Sequence, residues 1–389
     1  MLNEQILTNA RIVTGDRVFN GTVVLRDGLI SEVDSGLSRL PHAQNLDGDY
    51  LLPGLVELHT DNLEKHLSPR PGVDWPSASA VMSHDAQIIA AGITTVFDAL
   101  SIGDVNPKGK RMQQLPGMID AIARANASGM TRAEHRLHLR CEVCHPDTLS
   151  VFRDLVEQPL VQLVSVMDHS PGQRQFALES KYREYYMGKY HLSAAQMDEF
   201  VVEQVANSKT YSDRYRKAIV DICLARGLSV ASHDDATLAH VEESAAYGMS
   251  IAEFPTTLEA AEGCRRLGMS VLMGAPNIVR GGSHSGNVAA ASLAKEGLLD
   301  ILSSDYYPAS LLQAAFALAA QLDDAGQDAG LARAVDTVSG APARAAGLHD
   351  RGEIRVGLRA DLIHARSHVH SHGTLPVIQQ VWRQAKRVF

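Results

Sequence analysis

Between Leu55 and Tyr306 the sequence switches eight times from a short apolar, strand-like run to a helical pattern. The runs are Leu55–Asp61, Thr94–Leu100, His135–Val143, Val161–His169, Leu228–Asp235, Ser250–Thr257, Ser270–Asn277 and Leu299–Tyr306. Strands joined through helices cannot pair as hairpins. Each crossover brings the chain back in the same direction, so the strands lie parallel. Eight such units over roughly 290 residues predict a TIM-like (β/α)8 barrel, an α/β fold whose chemistry sits at the C-terminal strand ends. Polar residues gather at those ends: His59 and Asp61, Glu142, Asp168 and His169, His233 to Asp235, Asn277 and Asp305.

The two ends of the chain read differently. Residues 5–50 carry short alternating runs, Ile6-Leu-Thr-Asn-Ala-Arg-Ile-Val and Gly21-Thr-Val-Val-Leu-Arg-Asp-Gly-Leu-Ile-Ser-Glu-Val, broken by Gly and Asp turns. The same texture returns at Gly352–Ile363 and Val377–Val388. Half-buried strands of this kind predict a small β-sandwich built by both termini. The expected organisation is therefore a sandwich part at 1–50, the barrel at 51–345, and the rest of the sandwich at 346–389. A chain of 389 residues has room for both domains.

A formal charge of -9 argues against a nucleic-acid partner, which needs a basic footprint. It leaves an anionic substrate open, because a metal and a few local arginines reverse the potential inside a cleft. The apolar stretch Leu311–Leu322 is too short to span a bilayer, so no membrane partner is expected. The start Met1-Leu-Asn-Glu-Gln lacks the basic region of a secretory leader, which predicts a cytoplasmic protein. Four cysteines do not make a disulfide framework, and the lone pair Cys141 and Cys144 reads as buried reduced thiols. A homo-oligomer is expected.

His59 and Asp61 stand two apart at the end of the first run, so their side chains share a face and converge where the strand stops. That pair is half of a divalent-cation site. The stretch Gln175–Arg216 is too long for a plain βα connection. Its segment Lys181-Tyr-Arg-Glu-Tyr-Tyr-Met-Gly-Lys-Tyr-His mixes cations with aromatic rings, and reads either as a lid over a phosphorylated substrate or as a solvated helical insertion.

A terminal β domain, an interrupting eight-strand barrel and His-x-Asp at the first strand end resemble the amidohydrolase superfamily. Longer motifs narrow the likeness: Glu57-Leu-His-Thr-Asp-Asn62, Leu163-Val-Ser-Val-Met-Asp-His-Ser-Pro-Gly-Gln173, Ala231-Ser-His-Asp-Asp-Ala-Thr237, Gly274-Ala-Pro-Asn-Ile-Val-Arg-Gly-Gly-Ser-His-Ser-Gly-Asn287 and Leu302-Ser-Ser-Asp-Tyr-Tyr-Pro308. From about residue 5 to Phe389 the chain resembles the α-D-ribose 1-methylphosphonate 5-triphosphate diphosphatase family of the carbon–phosphorus lyase pathway. That resemblance implies hydrolysis of a small-molecule ribose phosphonate 5-triphosphate to its 5-phosphate and pyrophosphate. The commoner superfamily pattern has His-x-His and a carboxylated lysine bridging two metals; here Asp61 replaces the second histidine, and none of the eight run ends carries a lysine.

With the resemblance in hand, roles follow. His59 and Asp61 are expected on the more buried metal, with Asp305 completing it and serving as the proton-accepting catalytic residue. Glu142 is expected to bridge two cations in place of the lysine carbamate, and His169 and His233 to bind the second. Mixed nitrogen and oxygen donors accept zinc, expected ahead of manganese or iron. Two cations would acidify a water that attacks the α-phosphorus and expels pyrophosphate. The loop from Arg280 through His284 to Asn287 suits the polyphosphate: its glycines let N–H groups approach oxygen, and Arg280 can bind bidentately. Asn277, Arg174 and Lys65, and more distantly Arg70, are further substrate-binding candidates. The competing readings are a cyclic-amide or N-acyl amidohydrolase with the same metals, and an inert barrel serving as an assembly subunit.

Overall fold

The computed structural model describes residues 4–389 except 107–108, 177–178, 284–285, 323–326 and 371–372. Strands Leu55–Thr60, Ile93–Ile102, Glu134–Glu142, Val161–Met167, Ser229–His233, Ile251–Glu253, Ser270–Gly274 and Ile301–Ser303 hydrogen-bond in chain order within one sheet. The first and eighth meet at a parallel bridge between Thr60 and Asp305, which brings the sheet to a nearly closed barrel. Every residue of Leu55–Thr60 and of Ile93–Ile102 is buried, as expected where helices cover one face and the barrel interior the other. Two expected strands are cut short, at Glu253 and at Ser303. Phe254 and Asp305 adopt a positive φ of 55°, which turns the chain out of the sheet. An apolar run signals burial but not where the backbone turns.

The two ends of the chain build a single hydrogen-bonded sheet together. Its order is Lys386–Arg387, Gly373–Arg383, Leu362–His370, Tyr50–Pro53, Gln5–Val13, Val18–Arg26, Leu29–Asp34, with Gln44–Asn45 beside Gln5–Val13. Tyr50–Pro53 bonds to Gln5–Val13 on one side and to Leu362–His370 on the other, which joins the two chain ends into one ladder. Leu7, Ile12, Leu25, Ile30, Leu51, Leu362 and Trp382 form its core. Gly54 connects this sheet to the first barrel strand; a Cβ there would overlap the Thr94 side chain, so the Leu-Pro-Gly entry admits only glycine.

Contacts divide the chain into two compact units, one of Met1–Asp98, Ala121–Arg136 and Met273–Phe389, the other of Ala99–Asp120 and Leu137–Leu272. In the second unit the long connection after Met167 forms a 3-10 turn, Arg174–Phe176, and two helices, Glu179–Tyr190 and Ala194–Ala225. The longer helix starts at a capping box in which Ser193 and Gln196 satisfy each other's backbone N–H groups. Phe176, Tyr182, Tyr186, Met197, Phe200 and Val201 pack between these elements, so the insertion has an apolar core of its own. The four cysteines are buried free thiols. Among the described residues no helix is long and apolar enough to cross a membrane.

Candidate metal centre at the strand ends

In the first unit Glu57, His59 and Asp61 follow one another at every second position of one strand end. The Glu57 carboxylate, fully buried, accepts the His59 N–H at 2.7 Å and the Ser304 N–H at 2.6 Å. It thereby ties the first strand to the eighth, and burial pushes its carboxyl up to about 7 against the pull of those bonds. Asp61 N–H donates to the Asp305 carbonyl at 3.1 Å, and Asp305 N–H to the His59 carbonyl at 3.1 Å. These main-chain bonds set the backbone of His59 and Asp61 beside that of Asp305. Asp61 Oδ1 is buried with no hydrogen-bond partner among the described residues. A buried carboxylate oxygen left without a donor is costly, and a cation is the ligand that would satisfy it.

Directly after Asp61, Asn62 donates to His84 at 3.0 Å, and His84 Nε2 meets Asp98 Oδ1 at 2.7 Å. Asp98 Oδ2 takes His135 Nδ1 at 2.8 Å, and His135 Nε2 meets Asp85 at 3.3 Å. All four titratable groups are fully buried. Burial holds His84 below the usual imidazole range even beside Asp98. For His135 burial also pulls down, but Asp98 and Asp85 outweigh it and push the group up to about 9. A group whose pKa rises on folding stabilises the fold fully below its unfolded value of about 6.5 and loses that contribution as pH climbs through about 9. Unfolding free energy is therefore expected to fall between these limits with a component of up to one proton, about 1.4 kcal/mol per pH unit. Denaturant titrations of the parent and of His135→Gln across that window check it; an identical pH slope in both proteins would assign the charge elsewhere.

In the second unit Glu142 Oε1 accepts the His169 N–H at 2.9 Å and Oε2 accepts His169 Nδ1 at 2.6 Å. Cys144 Sγ donates to the same carboxylate at 3.3 Å. Glu142, expected as a bridge between metals, thus has both oxygens engaged in holding His169. His233 Nδ1 is held the same way, by Glu253 at 3.1 Å. With both Nδ1 atoms occupied, His169 Nε2 and His233 Nε2 each face Asp234 Oδ2 at 3.5 Å. Donor atoms of these three residues lie within 4.8 Å of one another. Burial pulls His169 down, yet Glu142 and Asp234 push it up to about 10, so without a metal an imidazolium sits between two carboxylates. Burial raises Asp234, but His233 and His169 together hold it below the usual carboxylate range. Carboxylates on the far nitrogens of two imidazoles, with the near nitrogens converging on a third donor, are what a divalent metal site requires.

Asp234 is among the polar strand-end residues in the sequence but is given no role there, and Glu253 is not among them. Strand alternation puts His233 and Asp235 on one face and Asp234 on the other. Asp234 has a positive φ of 56°, which breaks the alternation and lets its carboxylate join His233. Glu253 ends an apolar run as a lone carboxylate, a signal that was available; Glu57, at the same alternation as His59 and Asp61, was another.

The substrate-binding candidates fare unevenly. Asn277 is not at a strand end but inside helix Ala275–Arg280, because the seventh strand stops at Gly274; its Oδ1 accepts the Ala290 N–H at 3.0 Å and fastens the loop. Arg280 ends that helix, exposed, 3.4 Å from the Tyr306 hydroxyl. Lys65 lies on helix Asn62–Leu67, donates to the Tyr306 carbonyl and stands 5.4 Å from the centre of its ring. Tyr306 therefore gathers two cations next to Asp305. Asn287 is half-buried in the loop, and His284 lies outside the described residues. Arg70 is exposed in a turn with Val73. Arg174 is buried and ion-paired with Asp235 and Glu243, so its guanidinium is committed to the protein rather than offered to a substrate.

Residues 85–371 match the profile of the Amidohydrolase family, and the barrel with carboxylates and imidazoles at its strand ends is of that class. The fold is also similar to N-acetyl-D-glucosamine-6-phosphate deacetylase from Mycobacterium smegmatis, with a TM-score of 0.64 at 16% identity, covering 99% of this chain and 100% of that one. A likeness to 5-methylcytosine deaminase from Klebsiella pneumoniae has a TM-score of 0.63 at 15% identity over 99% and 98% of the two chains. Far nearer in sequence is the alpha-D-ribose 1-methylphosphonate 5-triphosphate diphosphatase of Escherichia coli (strain K12), 55% identical over 387 residues, 99% of this chain and 100% of that protein. The chain belongs to that diphosphatase family within the amidohydrolases.

Proposed function

We propose that this protein hydrolyses α-D-ribose 1-methylphosphonate 5-triphosphate to the 5-phosphate and pyrophosphate in phosphonate catabolism, with divalent cations held at the barrel strand ends. The observation that carries the reading is the imidazole pair His169 and His233 converging on Asp234, in a chain 55% identical to the Escherichia coli diphosphatase. His169, His233 and Asp234 would hold one cation. His59, Asp61 and Asp305 would hold another, supported by the buried Asp61 Oδ1, which has no hydrogen-bond partner among the described residues. Mixed imidazole and carboxylate donors favour zinc, ahead of manganese or iron.

When bound, such cations acidify water and neutralise phosphate oxygens. Glu142 and Glu253 keep the Nε2 side of each imidazole facing Asp234. Asp305 accepts a proton from the attacking water. The water oxygen bonds to the α-phosphorus, the bond to the bridging oxygen breaks, and pyrophosphate leaves with the electron pair. Arg280 and Lys65 neutralise charge on the departing end. A small, highly charged substrate suits a cytoplasmic enzyme with no nucleic-acid partner.

A panel of ribose and nucleoside triphosphates against dihydroorotate and N-acyl amino acids tests the reading, with pyrophosphate and amide cleavage both measured. Turnover of the amides alone would overturn it. Arg280→Ala sharpens the test. Losing a charge-assisted contact should cost about 1.5–3 kcal/mol, roughly ten- to a hundredfold in kcat/KM on the triphosphate, with metal content unchanged. Unaltered triphosphate kinetics would remove Arg280 from the site.

A further inference from the structure

The sequence offers Arg174 as a substrate-binding cation, and the structure takes it out of that role. Its guanidinium pairs with Asp235, which directly follows Asp234, and donates to Glu243 at 3.0 Å. Glu243 also meets Arg216 at 3.3 Å, and Arg216 reaches Asp168, which directly precedes His169, at 3.9 Å. Arg174 and Arg216 are 3% and 4% exposed, and Asp235 is fully buried. Ser244 donates to Asp235 at 3.1 Å; Ser208 donates to Asp168 at 3.2 Å. An unbroken ion-pair chain, Asp168–Arg216–Glu243–Arg174–Asp235, therefore runs from the neighbour of one proposed metal donor to the neighbour of another. Arg174 itself has a positive φ of 37°, and Phe176, two residues on, packs edge-on against the His169 ring at 6.4 Å.

We infer that Arg174 is a positioning residue, which sets the spacing of His169 against His233 and Asp234 and so tunes cation affinity at that end of the barrel. Two strand ends can each present a donor, but a three-donor site needs both loops fixed to within about 0.5 Å. Main-chain hydrogen bonds at 2.9 Å tie Asp234 and Asp235 to Glu253 and Thr256, and the ion-pair chain adds the tie across to Asp168. A planar guanidinium, with its donors in a rigid fork, holds two carboxylates in defined directions, which a lysine ammonium cannot do. Arg216 and Ser208 come from helix Ala194–Ala225, so the long insertion acts as a brace for this end of the barrel.

The inference rests on the metal reading above, and the experiment separates the two. Metal content and the visible absorption of the cobalt(II)-substituted protein are measured for the parent, His233→Ala, Arg174→Gln and Arg174→Lys, together with thermal unfolding. His233→Ala should lose the metal at this end; if its content and spectrum equal the parent's, the metal reading fails first. Given that loss, Arg174→Gln should weaken cobalt binding roughly ten- to a hundredfold and shift the absorption bands, with Arg174→Lys intermediate. A merely structural role would lower the unfolding temperature and leave affinity and spectrum alone. That outcome in Arg174→Gln overturns the inference, or in Arg174→Lys should the glutamine variant not fold.

Discussion

Excess chelator is expected to abolish pyrophosphate release while the circular-dichroism spectrum stays that of a folded barrel. The loss should be a thousandfold or more, on the order of what a divalent ion contributes by bringing the pKa of water from about 15.7 to near 7. The fold should survive because the proposed donors stand at strand ends, whereas the strands themselves bury Leu58, Val96, Phe97, Leu139, Val164 and Val230. Without metal, His169, pushed up to about 10 by Glu142 and Asp234, also offsets part of the negative charge of those two carboxylates. Zinc, manganese and iron added back singly would then rank the metals by recovered rate. Full activity in chelated, metal-free protein would end the metallohydrolase reading, and loss of the folded spectrum would make the metal structural.

Asp305→Asn should lower kcat by about 10²–10⁴-fold, the usual contribution of a positioned general base. The amide keeps the size of the carboxylate and has no site to accept the proton of the attacking water. Its backbone is already in the left-handed region at a φ of 55°, which asparagine tolerates as well as aspartate, so the turn after the eighth strand should persist. Metal analysis on the same sample is part of the measurement, because Asp305 is also a proposed ligand. A variant that keeps its metal and turns over near the parent rate would leave the proton with another group.

Local pattern carried much of this protein. Eight apolar runs separated by helical stretches determine a parallel barrel, since parallel strands need crossovers and buried strands need apolar side chains on both faces. His59 and Asp61 were legible because strand alternation alone puts them on one face. The partnership of the two chain ends was legible too, though not that Tyr50–Pro53 joins them into one ladder. What lies beyond a strand end was not legible. Asp234 joins His169 and His233 only because its backbone turns to a positive φ, a choice that nothing in the alternation signals. Glu142 reads as a bridge between two cations in the sequence, and in space both its oxygens accept from His169. Arg174 reads as a cation near a barrel mouth, and it becomes a buried strut because Asp235 and Glu243, some 60 residues on, close around it. Sequence determines where periodic elements run and which face they bury; the pairing of charges across loops depends on distances that only the folded chain sets.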